Sequence, residues 1–164
     1  MSGSGPEPAS SHLDPDGRAR MVDVSEKPVT RRVARASGRI RIGPDALDAI
    51  LAGELPKGDA LSVARLAGIQ AAKRTSDLLP LCHPLPLDHV RVELSPDPDL
   101  PGVRVESEVV VTARTGAEME ALAAVTGALL ALYDMAKSID RGMEIEAIFL
   151  ESKSGGTSGR WRRR

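Results

Sequence analysis

The sequence contains little cysteine and few aromatic residues: Cys82 is its one cysteine, and its aromatic residues are Tyr133, Phe149 and Trp161. A single cysteine excludes an intramolecular disulfide and a zinc site built from several thiolates. Because aromatic side chains are so few, Leu, Val, Ile and Ala must form the core. A chain of 164 residues is long enough for one domain with a sizeable core.

Neither sign of charge dominates, since 22 Lys and Arg residues stand against 23 Asp and Glu residues and the net charge is −1. This balance provides no bulk attraction to nucleic acid or to a membrane surface, so we expect neither as a partner. No apolar run approaches the ~20 residues of a membrane span, and the N-terminus has no apolar core of a secretory signal. We therefore predict a soluble cytoplasmic protein.

The distribution of residue types predicts one folded domain between two terminal segments. Residues 1–20 are rich in Gly, Pro, Ser and charge, which predicts disorder. We expect a single domain over 21–152 and a Gly/Ser-rich, then basic, tail over 153–164. Periodicity and capping signals predict strands near 34–42, 89–94, 103–111 and 143–149, and helices near 44–53, 60–73 and 118–139. This order indicates an α+β, ferredoxin-like β-α-β-β-α-β domain with an antiparallel sheet and helices on one face.

The longest predicted helix is apolar on all sides, reading ALAAVTGALLALYDM from Ala121 to Met135. Such a helix is typically buried on all sides. One sheet covers only one side, so we predict an oligomer in which a second copy covers the other. Asp134 would then be a costly buried carboxylate unless it is paired, and Lys137 follows at i+3. A structural ion pair is the alternative, but buried titratable pairs favour acid–base chemistry.

A stiff, irregular segment occupies residues 73–89, where three prolines exclude a long helix or a central strand. It is apolar, and it carries Cys82 and His83, so it is a candidate site loop. A buried cysteine and a hydrogen-bonded loop histidine are the structural alternatives. We favour His83 as a substrate-anchoring or proton-handling group over a Cys82–His83 nucleophile. No Cys and His pattern supplies a metal site.

Acidic residues also begin the longest helix, at Glu118 and Glu120, where carboxylates favour the helix dipole. Glu118 lies ~24 Å along the helix axis from Asp134. The two ends are too far apart to contact one small substrate within one subunit. A site that uses both ends must therefore be shared between subunits.

Several cations are candidates for binding phosphate, although each is also typical of exposed surface. Lys57 precedes a helix start, Lys73 ends a helix, Arg32 lies in an arginine-dense first strand, and Lys153 adjoins two glycines. No Walker motif or dinucleotide fingerprint is present. The residues alone thus predict an oligomeric α+β protein with a shared, cation-rich pocket for a phosphorylated small molecule.

Seven segments occur in an order and spacing that resemble one family. They are MVDV at 21–24, KGD at 57–59, AGIQAAKRT at 67–75, LPLCHPL at 79–85, TGAEMEAL at 115–122, YDMAK at 133–137 and KSGG at 153–156. Together they resemble the MoaC-type cyclic pyranopterin monophosphate synthases of molybdenum cofactor biosynthesis, over about residues 21–156.

The resemblance implies a phosphorus–oxygen lyase that converts (8S)-3′,8-cyclo-7,8-dihydroguanosine 5′-triphosphate to cyclic pyranopterin monophosphate and pyrophosphate. A radical-SAM GTP cyclase would supply the substrate. It also implies a homohexamer, a trimer of dimers, with active sites at subunit interfaces. We expect no resident cofactor and leave open Mg²⁺ on the triphosphate. The alternative is a non-catalytic oligomeric module that binds a nucleotide.

The resemblance also implies roles for individual residues. Asp134, Lys57 and Lys137 match catalytic positions. The positions that match substrate-binding segments or cations near the substrate are Leu81, Cys82, His83, Glu118, Met119, Glu120, Arg32, Lys73 and Lys153.

Overall fold

The computed structural model describes residues 13–14, 16–97, 99–157 and 159–164. Its elements, in chain order, are β1 (Thr30–Arg41), α1 (Pro44–Ala52), α2 (Ala60–Lys73), α3 (Thr75–Leu78), β2 (Leu87–Pro96), β3 (Gly102–Ala113), α4 (Glu118–Ala136), β4 (Glu144–Ser154) and β5 (Trp161–Arg162). The segment 79–86 contains neither helix nor strand, as its prolines predict.

The strands form one sheet in the order β2-β3-β1-β4-β5, and every neighbouring pair is antiparallel. This is the predicted ferredoxin-like arrangement, which the structure confirms, with β5 added at one edge. β5 was not predicted, because its two residues have no periodicity of their own and pair only with Ser152 and Lys153. The segment 153–164, expected as a tail, therefore contains the end of β4 and all of β5.

The predicted disorder over 1–20 falls mostly outside the described residues. Within the described part, Leu13 and Ala19 form an isolated antiparallel bridge. The backbone N–H groups of Asp16 and Arg18 donate to the Asp14 carboxylate and stabilise the turn between the two bridge residues.

Local signals set the helix ends. Pro44 lies at the start of α1, and Gly53 ends it with φ of 71°, a left-handed conformation that glycine adopts without strain. The Asp59 carboxylate accepts a hydrogen bond of 3.0 Å from the Ser62 backbone N–H and caps α2, as predicted.

The core lies between the sheet and the helices α2 and α4. Its aliphatic side chains come mainly from alternate positions of β1 and β3 and from one side of α4. The two helices approach closely at two glycines. A Cβ atom on Gly68 would collide with the Ala124 carbonyl oxygen, and one on Gly127 would collide with Ala71.

In the single chain, α4 is not buried on all sides and Asp134 lies near the surface; that a second copy covers the remaining side stays a prediction. Leu129 and Leu132 are fully buried, but Leu130 is 57% exposed and the Asp134 side chain is also 57% exposed. The sheet and α2 cover only part of the helix surface, which leaves its outer side and its last turn open. The sequence alone predicts no apolar run long enough to span a membrane, but α4 is long and apolar enough by length and composition. Half of this helix is buried within the protein, as in a core helix.

Candidate functional site

Three predicted catalytic residues meet at the C-terminal end of α4. The Lys57 Nζ lies 3.0 Å from Asp134 Oδ2 and also donates to the Asp134 backbone carbonyl at 2.9 Å. The Lys137 Nζ lies 2.7 Å from Asp134 Oδ1. The loop before α2 supplies Lys57, so the packing of α2 against α4 brings this lysine to the aspartate.

The two amines keep the Asp134 carboxyl ionised. Hydrogen bonds from Lys137 and then from Lys57 lower its pKa, and their charges act in the same direction. The carboxylate therefore accepts hydrogen bonds from both amines and holds them beside each other. All three side chains are roughly half exposed in the single chain.

A cavity of about 400 Å³ lies at the opposite, N-terminal end of α4. The predicted loop and the first turn of α4 both contribute to it. The residues that line the cavity are Val22, Val24, Lys27, Leu81, Cys82, His83, Leu85, Thr115, Gly116, Glu118, Met119 and Glu120. The structure thus brings together six predicted substrate-binding residues from two separate segments.

Glu120 is a buried acid of the cavity, with only 4% of its surface exposed. Its pKa is raised to about 7, mainly by burial and to a smaller extent by the charge of the neighbouring Glu118. Burial also raises the pKa of the Cys82 thiol, with a smaller contribution from Glu120. A protonated thiol is a poor nucleophile, so the cavity does not favour thiol chemistry at Cys82.

Glu118 and Lys153 form an ion pair at the edge of the cavity, with 2.8 Å between Lys153 Nζ and Glu118 Oε1. The Glu118 carboxylate packs against Gly116, and a Cβ atom at that position would displace it from its present place. Lys153 is the penultimate residue of β4, so the ion pair connects the sheet to the first turn of α4.

Arg32 lies beside this ion pair, in a small hollow that Glu118 and Lys153 also line. Its guanidinium donates to the carbonyl oxygens of Ala113 and Arg114, at 3.2 and 3.0 Å. These bonds hold the end of β3 and direct the chain toward the turn at residues 115–117.

Lys73 is placed less centrally than the other predicted cations. It is exposed at the end of α2 and is not among the residues that line the cavity. The cavity also contains residues that were not predicted as site residues, above all Lys27, Thr115 and Gly116. Thr115 and Gly116 belong to segment 115–122 of the family pattern, although their residue types indicated no role, and Lys27 lies outside all seven segments.

A larger hollow, of about 580 Å³, lies on the sheet face opposite the helices. Its lining alternates arginine and glutamate, and these side chains pair with one another, as Arg35 does with Glu108 and Arg104 with Glu151. None of the predicted site residues lines it. Most of the charges there pair within the sheet, and no predicted site residue contributes to the hollow, which favours the smaller cavity as the functional one.

The two candidate clusters do not meet within one chain. Glu118 and Asp134 lie at opposite ends of α4, ~24 Å apart along its axis. In the part of the chain that the structure describes, no three His, Cys, Asp or Glu side chains gather closely enough to hold a metal ion. The site is therefore composed of an amine–carboxylate cluster and a separate cavity with one buried acid.

Comparison with known proteins gives a consistent result. The model of the MoaC family matches residues 21–156. A protein from Nostoc sp. called cyclic pyranopterin monophosphate synthase is 57% identical to this chain over 149 residues, which cover 91% of this chain and 89% of the relative. A protein of the same name from Methylobacterium sp. is 59% identical over 149 residues, which cover 91% of this chain and 93% of the relative. The protein of that name from Cereibacter sphaeroides is 56% identical over 151 residues, covering 92% and 95%. The matched region contains both clusters at the ends of α4, and the chain belongs to the MoaC family.

Proposed function

We propose that this chain converts (8S)-3′,8-cyclo-7,8-dihydroguanosine 5′-triphosphate to cyclic pyranopterin monophosphate, with release of pyrophosphate. The family match and the names of the relatives support this reading. They make the chain an enzyme of molybdenum cofactor biosynthesis, as the sequence resemblance predicts, and do not favour the alternative of a non-catalytic nucleotide-binding module.

One observation carries the chemical argument: the Asp134 carboxylate lies within 3.0 Å of the amines of both Lys57 and Lys137. The substrate's purine-derived ring must open and close again as a pterin, and protons move at each step. Two amines held by one carboxylate can give and take those protons. We infer that Lys57 and Lys137 divide the acid and base roles while Asp134 orients them.

The cavity at the other end of α4 supports substrate binding. Its wall combines the apolar residues Leu81 and Met119 with the buried Glu120, a combination typical of small-molecule sites. Lys153 and Arg32 lie at its edge. When the ring closes onto the α-phosphate and pyrophosphate leaves, cations at this edge would stabilise the growing negative charge.

We further propose that two subunits share each active site within a homohexamer, a trimer of dimers. The ~24 Å between the two ends of α4 supports this arrangement, because one small substrate cannot contact both ends of the same helix. Exposed apolar residues on the helical layer, such as Leu66 at 67% and Leu130 at 57%, also support contact with another subunit. A second subunit would desolvate the half-exposed lysines and strengthen their interaction with Asp134.

The remaining parts of the proposal concern the setting of the reaction. A radical-SAM GTP cyclase makes the substrate, and the enzyme works in the cytoplasm without nucleic acid or membrane as a partner. The reaction uses no resident cofactor, and any Mg²⁺ arrives with the triphosphate.

The direct test is to incubate the purified chain with the cyclic dihydro-GTP substrate and to measure pyrophosphate and the pterin product together. We expect equal amounts of both, and no pyrophosphate from GTP used as a control. A chain that binds the substrate and returns it intact would instead be a sensor, and the proposal would be wrong.

A further inference from the structure

The C-terminal strand β5 pairs with the sheet at one place only. Its two residues, Trp161 and Arg162, are the register partners of Lys153 and Ser152. Among the residues that the structure describes, no strand pairs with the rest of β4, from Glu144 to Glu151, on this side. A two-residue strand adds little stability to a sheet. Its position is more informative, because β5 pairs with the main chain of β4 at Lys153.

Arg163 anchors β5 to β4. Its backbone N–H donates to the Glu151 carbonyl oxygen at 2.9 Å. Its guanidinium lies 4.4 Å from the centre of the Phe149 ring, within the range of a cation–π interaction. The end of the chain is thus attached to β4 by main-chain bonds and by one side-chain contact.

The opposite side of Lys153 is also held. Lys153 pairs with Ala34 of β1. The turn that follows contains Gly155 and Gly156, with φ of 97° and 73°, and a Cβ atom on either would collide with Arg31 or Arg32. β1 and β5 therefore fix the main chain of Lys153 from both sides, and its Nζ is directed to Glu118 at 2.8 Å.

We propose that residues 161–163 are positioning residues that hold Lys153 where its amine can bind the anionic phosphates of the substrate. This inference rests on the proposed function, which gives Lys153 a phosphate to bind. Without β5, the end of β4 becomes a free sheet edge next to a glycine turn. The Lys153 amine would then sample positions away from Glu118 and the cavity, and part of its contribution to binding would be lost as conformational entropy.

The first test is a chain that ends at Arg160, compared with a matched control that lacks only Arg164. We expect the shorter chain to raise KM for the cyclic substrate about tenfold with kcat within about twofold, because binding depends on the charge-assisted contact. The control should behave as the full chain. An unchanged KM in the shorter chain overturns the inference.

The second test separates positioning from a general loss of structure. Combining the truncation with Lys153→Ala forms a double-mutant cycle. If β5 acts through Lys153, the truncation should change KM by less than about twofold once Lys153 is absent. Equal effects in both backgrounds would contradict a role through Lys153.

A milder variant serves if the truncated chain folds poorly. Arg163→Ala leaves the β5 main-chain bonds and removes only the contact with Phe149, so we expect a smaller rise in KM, about threefold, with unchanged melting temperature. Arg163→Lys keeps a cation over the ring and should recover most of the loss. A loss that Arg163→Lys does not recover, or that Lys153→Ala fails to suppress, counts against the inference.

A binding measurement is independent of turnover. Trp161 is the one tryptophan of the chain, so its fluorescence reports on β5. We expect pyrophosphate, used as the probe, to change this fluorescence in the full chain and not in Lys153→Ala. If the full chain forms no product in the assay above, the proposed function fails. If it forms product but pyrophosphate changes the fluorescence of both proteins equally, only the present inference fails.

Discussion

The Lys57 amine lies 3.0 Å from the Asp134 carboxylate, although the two residues are 77 positions apart in the chain. Lys137, by contrast, meets the same carboxylate from one helical turn away. A local contact and a long-range contact thus converge on one acid. This convergence is what distinguishes the cluster from an ordinary i, i+3 ion pair on a helix surface.

Replacing Asp134 with asparagine keeps the shape of the side chain and removes its charge. We expect kcat to fall by a factor of about 10² to 10⁴, the range typical of acid–base groups, because the amines lose the charge that orients them. The melting temperature should change little, since the side chain is half exposed. Steady-state kinetics and thermal unfolding check both points, with Asp48→Asn on α1 as control. Near-normal turnover of Asp134→Asn in a correctly assembled oligomer would refute the assignment.

Mixing two inactive variants tests whether the ends of α4 serve one shared site. Asp134→Asn damages the C-terminal end and Glu118→Ala the N-terminal end. In randomly mixed oligomers, about a quarter of the sites would combine two intact ends from different chains. We expect activity to return to about that fraction after subunit exchange. A mixture that stays as inactive as its components would mean that each site belongs to one chain.

Replacing Cys82 with serine should leave catalysis largely intact. Burial and the neighbouring Glu120 raise the pKa of the thiol, so little thiolate is present at neutral pH. We expect kcat within about fivefold of the unmodified chain, because the loop is held by its prolines and not by the thiol. The assay is turnover of the cyclic substrate. A loss above about a hundredfold would instead indicate a thiol-dependent enzyme.

Replacing Glu120 with glutamine should stabilise the protein at higher pH. The carboxyl has a pKa of about 7 in the folded chain and 4.5 as the reference value. Between these values the folded state binds more protons than the unfolded state, so the free energy of unfolding falls as pH rises. Above pH 7 the loss is complete and amounts to about 3 kcal/mol at most.

Denaturant unfolding of both proteins at pH 5 and pH 8, without substrate, measures this effect. Glutamine does not titrate, so the variant should gain stability relative to the unmodified chain at pH 8 and much less at pH 5. The charge of Glu118 also raises the pKa of Glu120, so it acts in the same direction as burial and does not reverse the sign. If the variant and the unmodified chain differ in free energy of unfolding by the same amount at both pH values, the pKa of Glu120 is not raised in the folded chain.

Much of the fold follows from short-range patterns. Alternating residues marked the four main strands, and Pro44, Gly53 and Asp59 marked helix ends that the structure contains. These signals are readable because they depend on residues within a few positions of each other. β5 escaped prediction because its pairing with Ser152 and Lys153 has no local signature.

The candidate site, like the fold, combines features that the sequence predicts with features that depend on tertiary packing. The sequence indicated candidate residues for chemistry, through the i, i+3 spacing of Asp134 and Lys137 and the stiff loop that holds Cys82 and His83. It did not show which side of α4 the sheet and α2 cover, since composition shows only that the helix is apolar. Only the tertiary structure placed Lys57 against Asp134, buried Glu120 and left Asp134 open. Packing between distant segments decides such contacts, and no local pattern of residues encodes it.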